Sequence, residues 1–208
     1  MNKRNLQREL EKVIADSTEK GIRPKLLLHI CCGPCSSYCI EYLSRYFDIT
    51  EFFANSNIDD PEEYAKRLAE ARRLPGEMGL DTGWAEGIYD PDGYHRLVRG
   101  HEKDPEGGER CGICFEMRLS EAAQYAAEHG FDYYTTSLSI SPLKDAQRLC
   151  DIGERIGREK GITYLPSDFK KKDGYKRSIE LSAQYDLYRQ NYCGCSFSAV
   201  NKEEHTNG

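Results

Sequence analysis

The feature that most constrains the fold is an apolar run that leads directly into three closely spaced thiols. Residues 26–30 read Leu-Leu-Leu-His-Ile, and Cys31, Cys32 and Cys35 follow within five positions. Such a run is typical of a strand covered on both faces, as in a parallel sheet. Pro34 favours a helix start because its missing N–H has no partner in the first turn. We therefore expect these sulfur atoms at the positive end of a helix, where thiolate is favoured over thiol.

Short apolar strands and amphipathic helices alternate along the chain. Strands are predicted at 25–30, 49–54, 82–88, 133–138 and 162–165, and helices at 34–46, 61–78, 111–129, 141–160 and 174–189. This alternation predicts an α/β protein with an open, mostly parallel sheet and helices on both faces. We interpret residues 24–195 as a single α/β catalytic domain with a loop-rich excursion at 89–110. A helical appendage at 1–23 precedes it, and a polar tail at 196–208 follows it.

Composition narrows the class of protein and its compartment. The 208 residues include nine cysteines and carry a net charge of −6. No apolar segment is long enough to cross a membrane or to act as a signal peptide, so we expect a cytoplasmic protein without a membrane partner. In a reducing compartment, this many cysteines favours metal binding or redox chemistry over disulfides. The negative net charge argues against nucleic-acid binding by bulk electrostatics, but it leaves room for a local basic patch.

Seven cysteines form three tight groups next to predicted strand or helix ends. They are Cys31, Cys32 and Cys35, then Cys111 and Cys114, and finally Cys193 and Cys195. Loops at the carboxyl ends of parallel strands converge, so we predict that all seven meet and bind metal. Seven thiols exceed the four ligands of one zinc ion and suit an iron–sulfur cluster plus a second metal or a redox pair. The spacing alone does not select iron over zinc. We interpret Cys39 and Cys150 as buried apolar side chains.

Glycines stand beside each group of thiols. Gly33, Gly112 and Gly194 are expected to let the backbone approach a bulky inorganic centre and donate N–H groups to its sulfur atoms. His29 precedes the first thiols, and we interpret it as a buried strand histidine, with metal ligation as the alternative.

Four segments carry these residues in a fixed order: Leu28–Ser36, Arg110–Leu119, Ser141–Asp145 and Leu187–Cys195. Together they resemble the epoxyqueuosine reductase family QueH over about residues 25–195. One departure is Asn55-Ser56-Asn57-Ile58, where the family reads Asn-Pro-Asn-Ile. The resemblance implies a Rossmann-like sheet of the HUP type, related to ATP-pyrophosphatases. Residues 31–36 replace the phosphate-binding Ser-Gly-Gly-x-Asp-Ser loop of those relatives, so we do not expect ATP use.

The resemblance also implies a reaction and its cofactors. The family converts epoxyqueuosine to queuosine at the tRNA wobble position: two electrons and two protons reduce the epoxide to an alkene, and water is lost. It is implied to hold a [4Fe-4S] cluster with an adjacent iron ion. The partners are then tRNA bearing epoxyqueuosine and an unidentified electron donor.

The four segments, together with the stretch at 55–58, supply candidate residues for each role. We hypothesise that Cys32, Cys111, Cys114 and one of Cys193 and Cys195 hold the cluster, and that Cys31, Cys35 and the remaining thiol hold the second iron. Asp145 and Tyr192 are the candidate catalytic proton donors, together with Lys144, although Asp145 also suits a helix cap. The predicted substrate-binding residues are Asn55, Asn57, Arg118, Lys144, Arg189, Gln190 and Asn191.

One part of the chain is locally basic. Residues 141–178 contain ten Lys or Arg residues and six acids, against a net charge of −6 for the whole chain. Aromatic residues alternate with cations from Phe169 to Tyr192, including Lys170, Lys171 and Lys172. We expect this surface to hold phosphates and to stack an extruded base; the alternative is an ordinary exposed helix with core tyrosines.

Two other functions are compatible with the thiol pattern. One is an iron–sulfur-dependent tRNA sulfurtransferase on the same sheet, and ATP turnover would separate it from the reductase. The other is a noncatalytic zinc-binding module, which would be colourless rather than brown after purification without oxygen.

Overall fold

The computed structural model describes residues 4–199. Its strands are β1 (Lys25–Ile30), β2 (Asp48–Phe53), β3 (Gly83–Glu86), β4 (Tyr133–Thr136) and β5 (Thr163–Tyr164). Its helices are α1 (Leu6–Glu19), α2 (Gly33–Leu43), α3 (Pro61–Glu77), α4 (Pro91–Leu97), α5 (Glu109–Glu128), α6 (Ala146–Lys160) and α7 (Gly174–Gln184). The strands form one sheet in the order β3-β2-β1-β4-β5, and every neighbouring pair is parallel. The predicted α/β class and open parallel sheet are therefore confirmed.

The strand order reverses at the centre of the sheet. β1 pairs with β2 on one side, with Leu26 opposite Ile49, and with β4 on the other, with Leu26 opposite Tyr133. In an open parallel sheet such a reversal leaves a crevice beyond the carboxyl ends of the two central strands. Residues 31–35 leave β1 at this crevice, so the fold itself selects the position of the first three thiols.

Two hydrophobic clusters cover the two faces of the sheet. Leu27 and Phe52 belong to the cluster that contains side chains of α5 and α6, such as Leu119 and Leu149. Their chain neighbours on the strands point to the other face, where a second cluster includes Ile40 of α2 and residues of α3. The alternation of adjacent strand residues between the two clusters is the geometry of a sheet with helices on both faces.

Several predicted element boundaries differ from the structure. The strand predicted at 133–138 ends at Thr136 and continues as a 3₁₀ turn over Ser137–Ile140. The helix predicted from Ser141 begins at Ala146, because the Asp145 side chain accepts the backbone N–H groups of the first turn. The helix predicted to reach residue 189 ends at Gln184.

The N-terminal helix contributes apolar side chains to both clusters. Leu6 lies in the α5 and α6 cluster, whereas Leu10 and Ile14 lie in the α2 and α3 cluster, and all three are buried. The predicted division at residue 23 stays a prediction. Most of the predicted polar tail, residues 200–208, lies outside the described residues. Within the described residues, no helix is long and apolar enough to span a bilayer.

Candidate metal centre and substrate cavity

The first three thiols form a compact group at the end of β1. The sulfur atoms of Cys31, Cys32 and Cys35 all lie within 4.8 Å of one another, and the Sγ–Sγ distance between Cys31 and Cys32 is 3.7 Å. Cys31 and Cys32 are buried, and Cys35 is half-buried. Cys32 is the residue that precedes α2, whose first turn contains Pro34 as predicted. Three thiols at this separation can bind a metal ion together.

The pKa values of the three thiols differ sharply. The pKa of Cys31 lies well below its ordinary value, because the Cys32 and Cys35 thiols hydrogen-bond to its sulfur. Sharing a proton with Cys31 raises the pKa of Cys32 to about 12 and that of Cys35 well above its usual range. A second thiolate beside the first would be repelled. Without a bound cation, Cys32 and Cys35 therefore keep their protons; thiolate at all three sulfur atoms stays a prediction for the metal-bound site.

The other four cysteines line a second cavity beside this group. Cys111 and Cys114 enter it from the first turns of α5, and Cys193 and Cys195 enter from the segment after α7. Cys193 also lines the cavity of about 260 Å³ that contains Cys31 and Cys35. The two cavities therefore adjoin, so the three distant cysteine groups lie at neighbouring cavities; their joint binding of metal stays a prediction.

The sulfur atoms divide in space differently from the hypothesised ligand sets. Cys32 was assigned to the cluster with Cys111 and Cys114, whereas its sulfur lies with those of Cys31 and Cys35. All nine cysteines are free thiols. Cys39 and Cys150 are fully buried in the two hydrophobic clusters, as predicted for structural cysteines.

Two cations lie among the seven thiols. Arg118 is only 1 % exposed, and Lys144 lines both cysteine cavities. Burial by itself lowers the pKa of each group, but nearby thiols raise it above the ordinary value, chiefly Cys114 for Arg118 and Cys193 for Lys144. No carboxylate pairs with Arg118 in the described part of the chain, where its Nη2 donates to the side-chain oxygen of Asn55. Because a buried charge needs a counter-charge, these cations favour the thiolate form of the cysteines in the two cavities.

Arg67 and Glu63 form a buried pair that the sequence reasoning missed. Arg67 is 1 % exposed, and its Nε donates to Glu63 Oε1 at 2.7 Å. Its Nη1 donates to the carbonyl oxygen of Cys193 at 3.0 Å, and its guanidinium lies over the Tyr192 ring. The Tyr188 hydroxyl donates to Glu63 Oε2 at 3.0 Å. Helix α3 thus holds the segment that carries the last two thiols; nothing in its charged pattern distinguishes these residues from a solvated helix face.

The asparagines after β2 have different surroundings. Asn55 is fully buried; its Nδ2 donates to the carbonyl oxygen of Ile30 at 2.9 Å, and its Oδ1 accepts from Arg118. Its polar atoms therefore join β1, β2 and α5. Asn57 is also buried, but its Oδ1 has no partner and the residue lines the cavity of the last four cysteines. Of the two predicted substrate-binding asparagines, Asn57 is the one whose side-chain oxygen is an unpaired hydrogen-bond acceptor within the described residues.

Three further predicted substrate-binding residues follow α7 and line the cavity of about 260 Å³ that contains Cys31 and Cys35, the larger of the two cysteine cavities. Arg189 donates through Nη1 to the Ser182 hydroxyl at 2.9 Å. Gln190 donates through Nε2 to Cys32 Sγ at 2.9 Å, and its Oε1 is buried without a partner. Asn191 is exposed. Gln190 therefore contacts a candidate metal ligand directly.

The candidate proton donors separate into two places. Tyr192 and Lys144 line the cavity that contains Cys31, and burial raises the pKa of Tyr192 above its ordinary value. Asp145 is exposed, and its carboxylate accepts the backbone N–H groups of Gln147 and Arg148 as the cap of α6. It lines a different groove. The geometry thus gives Asp145 the role of a helix cap and leaves Tyr192 and Lys144 at the thiols.

His29 is fully buried between β4 and β2. Its Nδ1 lies 2.8 Å from Thr136 Oγ1, and its Nε2 lies 3.1 Å from the carbonyl oxygen of Ala54. Burial lowers the pKa of His29 to about 3, so the ring is neutral. With both ring nitrogens hydrogen-bonded inside the sheet, His29 is the structural histidine that we predicted.

The glycines beside the thiols have packing roles that differ from those expected. A Cβ at Gly112 would lie 2.1 Å from Nη2 of Arg148, so the missing side chain makes room for that guanidinium. Gly194 has a φ of +128°, and its Cβ would lie 2.9 Å from Ile58 Cγ1. At Gly33, a Cβ would only reach ordinary contact with Glu70. Gly112 and Gly194 therefore satisfy backbone and side-chain packing, and their expected approach to a metal centre stays a prediction.

The predicted surface of alternating cations and rings is only partly exposed. Phe169 is 1 % exposed, and Lys170 Nζ donates to the carbonyl oxygens of Ser139 and Lys144. The expectation that the Phe169 ring stacks on a base is wrong, since the ring packs in the core. The Lys170 ammonium group joins two loops, and its contact with phosphate stays a prediction. Tyr175 is 37 % exposed and Leu143 is 63 % exposed, and both line the larger cavity.

Comparisons with known proteins agree with this site. Residues 26–201 match the family described as epoxyqueuosine reductase QueH. A protein named epoxyqueuosine reductase QueH from Streptococcus pyogenes serotype M1 is 44 % identical over 199 residues, covering 94 % of this chain and 78 % of its own length. A protein of the same name from Staphylococcus aureus is 42 % identical, covering 94 % and 84 % of the two chains.

A more distant relative bears the same name. The Thermotoga maritima protein is 30 % identical over 183 residues, covering 86 % of this chain and 92 % of its own length. Neither the sulfurtransferase nor the zinc-module alternative finds support in these matches. The resemblance drawn from the cysteine motifs is thus confirmed by the whole sequence, and the chain belongs to the epoxyqueuosine reductase QueH family.

Proposed function

We propose that this protein reduces epoxyqueuosine in tRNA to queuosine. The observation that carries the proposal is the convergence of seven thiols from three distant segments on two adjoining cavities. Family membership and relatives named epoxyqueuosine reductase support the same reaction. The cytoplasmic location stays a prediction from the sequence, and the electron donor is a partner still to be identified.

The donor set fits a [4Fe-4S] cluster with an adjacent iron ion. Cys111, Cys114, Cys193 and Cys195 offer the four thiols that such a cluster requires. The compact group of Cys31, Cys32 and Cys35 offers three ligands for a second metal ion. This assignment follows the spatial grouping of the sulfur atoms and replaces the earlier one. The buried charge of Arg118 and the half-buried charge of Lys144 support it, since nearby thiols raise the pKa of both groups.

We infer that the nucleoside enters the cavity of about 260 Å³. Leu143 and Tyr175 are exposed at this cavity, and an aromatic ring beside an exposed aliphatic side chain is suited to stack a base that has left the anticodon loop. Arg189 and Asn191 are placed to contact the ribose or phosphate. The buried acceptors of Asn57 and Gln190 remain available for a donor on the metal centre or the substrate.

The residues at the thiols supply the charge and protons that epoxide removal needs. When bound, an iron–sulfur centre supplies electrons one at a time, and the reaction consumes two. The Lys144 ammonium group is placed to stabilise negative charge on the departing oxygen, because it lines the same cavity as Cys31 and Cys35. Tyr192 and Lys144 are the candidate donors of the two protons that leave with this oxygen as water. Asp145 is excluded from our assignment by its helix-cap role.

The decisive experiment is nucleoside analysis of tRNA that contains epoxyqueuosine. The protein is purified and reconstituted with iron and sulfide without oxygen, then incubated with this tRNA and a chemical reductant. We expect loss of epoxyqueuosine and stoichiometric gain of queuosine. A control with Cys39→Ala should keep iron content and activity, whereas Cys114→Ala should lose both. A brown, iron-loaded protein that leaves epoxyqueuosine unchanged would refute the proposed reaction.

A further inference from the structure

A second concave surface adjoins the thiol cavity but contains no thiol. It is a groove of about 850 Å³ between the start of α1, the loop before α6 and the loop after β5. Pro142, Leu143 and Lys144 line both this groove and the thiol cavity. The two spaces therefore lie on opposite sides of one short loop, and a polymer that reaches one can continue into the other.

The groove is basic in an acidic protein. Its lining includes three acids, Glu11, Asp145 and Asp168, and six cations: Arg4, Arg8, Lys144, Lys170, Lys171 and Lys172. The excess of positive charge contrasts with the net charge of −6 for the whole chain. Such a local concentration of cations is the electrostatic footprint of a surface that binds phosphates.

Some of these cations hold the walls of the groove together. Lys172 pairs with Glu11, which joins the loop after β5 to α1. Arg4 pairs with Glu154 at 2.7 Å, which joins the start of α1 to α6. These ion pairs keep the groove in shape, so a ligand meets a preformed surface.

Lys170 pairs with Asp168 and donates to two carbonyl oxygens, and Lys144 is assigned to the thiol cavity, so two of the six cations remain for a ligand. Arg8 and Lys171 are exposed and lie on opposite walls of the groove. Neither forms an ion pair with a carboxylate within 4.0 Å among residues 4–199. They can contact phosphates without breaking an internal interaction.

We propose that this groove binds the phosphate backbone of the substrate tRNA next to the modified nucleoside, with Arg8 and Lys171 as phosphate contacts. The inference rests on the proposed function and extends it, because it makes α1 part of the RNA-binding surface. The base enters the thiol cavity, and the backbone crosses the 142–144 loop into the groove.

The test is the salt dependence of tRNA affinity. The dissociation constant of epoxyqueuosine-containing tRNA is measured between 0.05 and 0.3 M salt, roughly the range in which counterion release dominates, for wild type, Arg8→Gln, Lys171→Gln and the double variant. Each lost phosphate contact should lower the slope of log affinity against log salt by about 0.7, which corresponds to about fivefold weaker binding at 0.1 M salt. Lys20→Gln is the matched control, since Lys20 caps the far end of α1, about 18 Å from Arg8 along the helix.

An unchanged slope and affinity in the double variant would overturn the proposal. An equal loss in Lys20→Gln would also overturn it, because a general field effect rather than this groove would then control binding. Urea unfolding of each variant checks that the fold is retained. Turnover by the wild-type protein tests the reaction separately. If the wild type is active and the double variant binds tRNA with unchanged affinity, the proposed reaction stands and only the proposed role of the groove is refuted.

Discussion

A buried carboxyl group in the central part of the sheet makes stability depend on pH. Glu51 of β2 is fully buried; its Oε1 accepts a hydrogen bond from the Thr82 hydroxyl at 3.1 Å, and its Oε2 has no partner. Burial raises the pKa of Glu51 from 4.5 to about 8. The folded protein therefore holds this proton at neutral pH, whereas the unfolded chain releases it.

The sign and size of the effect follow from this difference. Because the pKa is higher in the folded state, the stabilisation is fully present below pH 4.5 and is lost as pH rises through about 8. The total loss is about 5 kcal/mol, of which about 3 kcal/mol falls between pH 6 and pH 9. Glu51→Gln removes the titrating group, so its stability relative to wild type should increase by about 3 kcal/mol over that interval.

Urea unfolding of both proteins without oxygen at pH 6 and pH 9 measures this difference. The shifted pKa values of the thiols also make stability depend on pH, but their contribution is common to both proteins and cancels in the comparison. Glu19→Gln, which removes an exposed carboxylate on α1, is the control and should give the same difference from wild type at both pH values. A difference in unfolding free energy between Glu51→Gln and wild type that is the same at pH 6 and at pH 9 would refute the reasoning.

Three further substitutions test the site. Arg67→Ala leaves Glu63 buried without its cation, so the free energy of unfolding should fall by about 3 kcal/mol and the iron content should drop. Tyr175→Ala should raise KM for tRNA about tenfold, with a smaller change in kcat, since stacking contributes about 1–3 kcal/mol per base. Gly194→Ala should cost about 2 kcal/mol and reduce iron content, because its φ is positive and its Cβ would meet Ile58.

Each of these variants has a matched control. Arg72→Ala removes an exposed arginine from the same helix and should leave iron content unchanged. Tyr175→Phe keeps the ring and should keep KM; an equal rise in KM would show that the hydroxyl matters rather than stacking. Gly21 also has a positive φ, but no atom lies within 4 Å of its Cβ, so Gly21→Ala adds backbone strain without a steric clash. Full iron content in Gly194→Ala would contradict the role assigned to that turn.

Local signals in the sequence were enough to predict the main strands and helices and the position of the thiols at their ends. The apolar run before Cys31 predicted β1 because a strand buried on both faces needs no polar alternation. The helix predicted over 61–78 does begin at Pro61, where the Asp60 carboxylate accepts two N–H groups of the first turn. The grouping of thiols at element ends predicted their convergence, since the carboxyl ends of parallel strands share one edge of the sheet.

The order of the helices and strands and the identity of the clustered thiols could be predicted from the sequence. Which polar side chains contact the thiols and their segments became clear only in the folded structure. Arg118 is predicted as a substrate contact and Arg67 carries no signal in the sequence, yet both are buried, because their partners come from segments far along the chain. Asn55 read as a substrate contact, and its hydrogen bonds are taken up inside the fold. A local pattern reports whether a side chain is polar, but burial of a polar group depends on compensating partners that only the folded chain brings together.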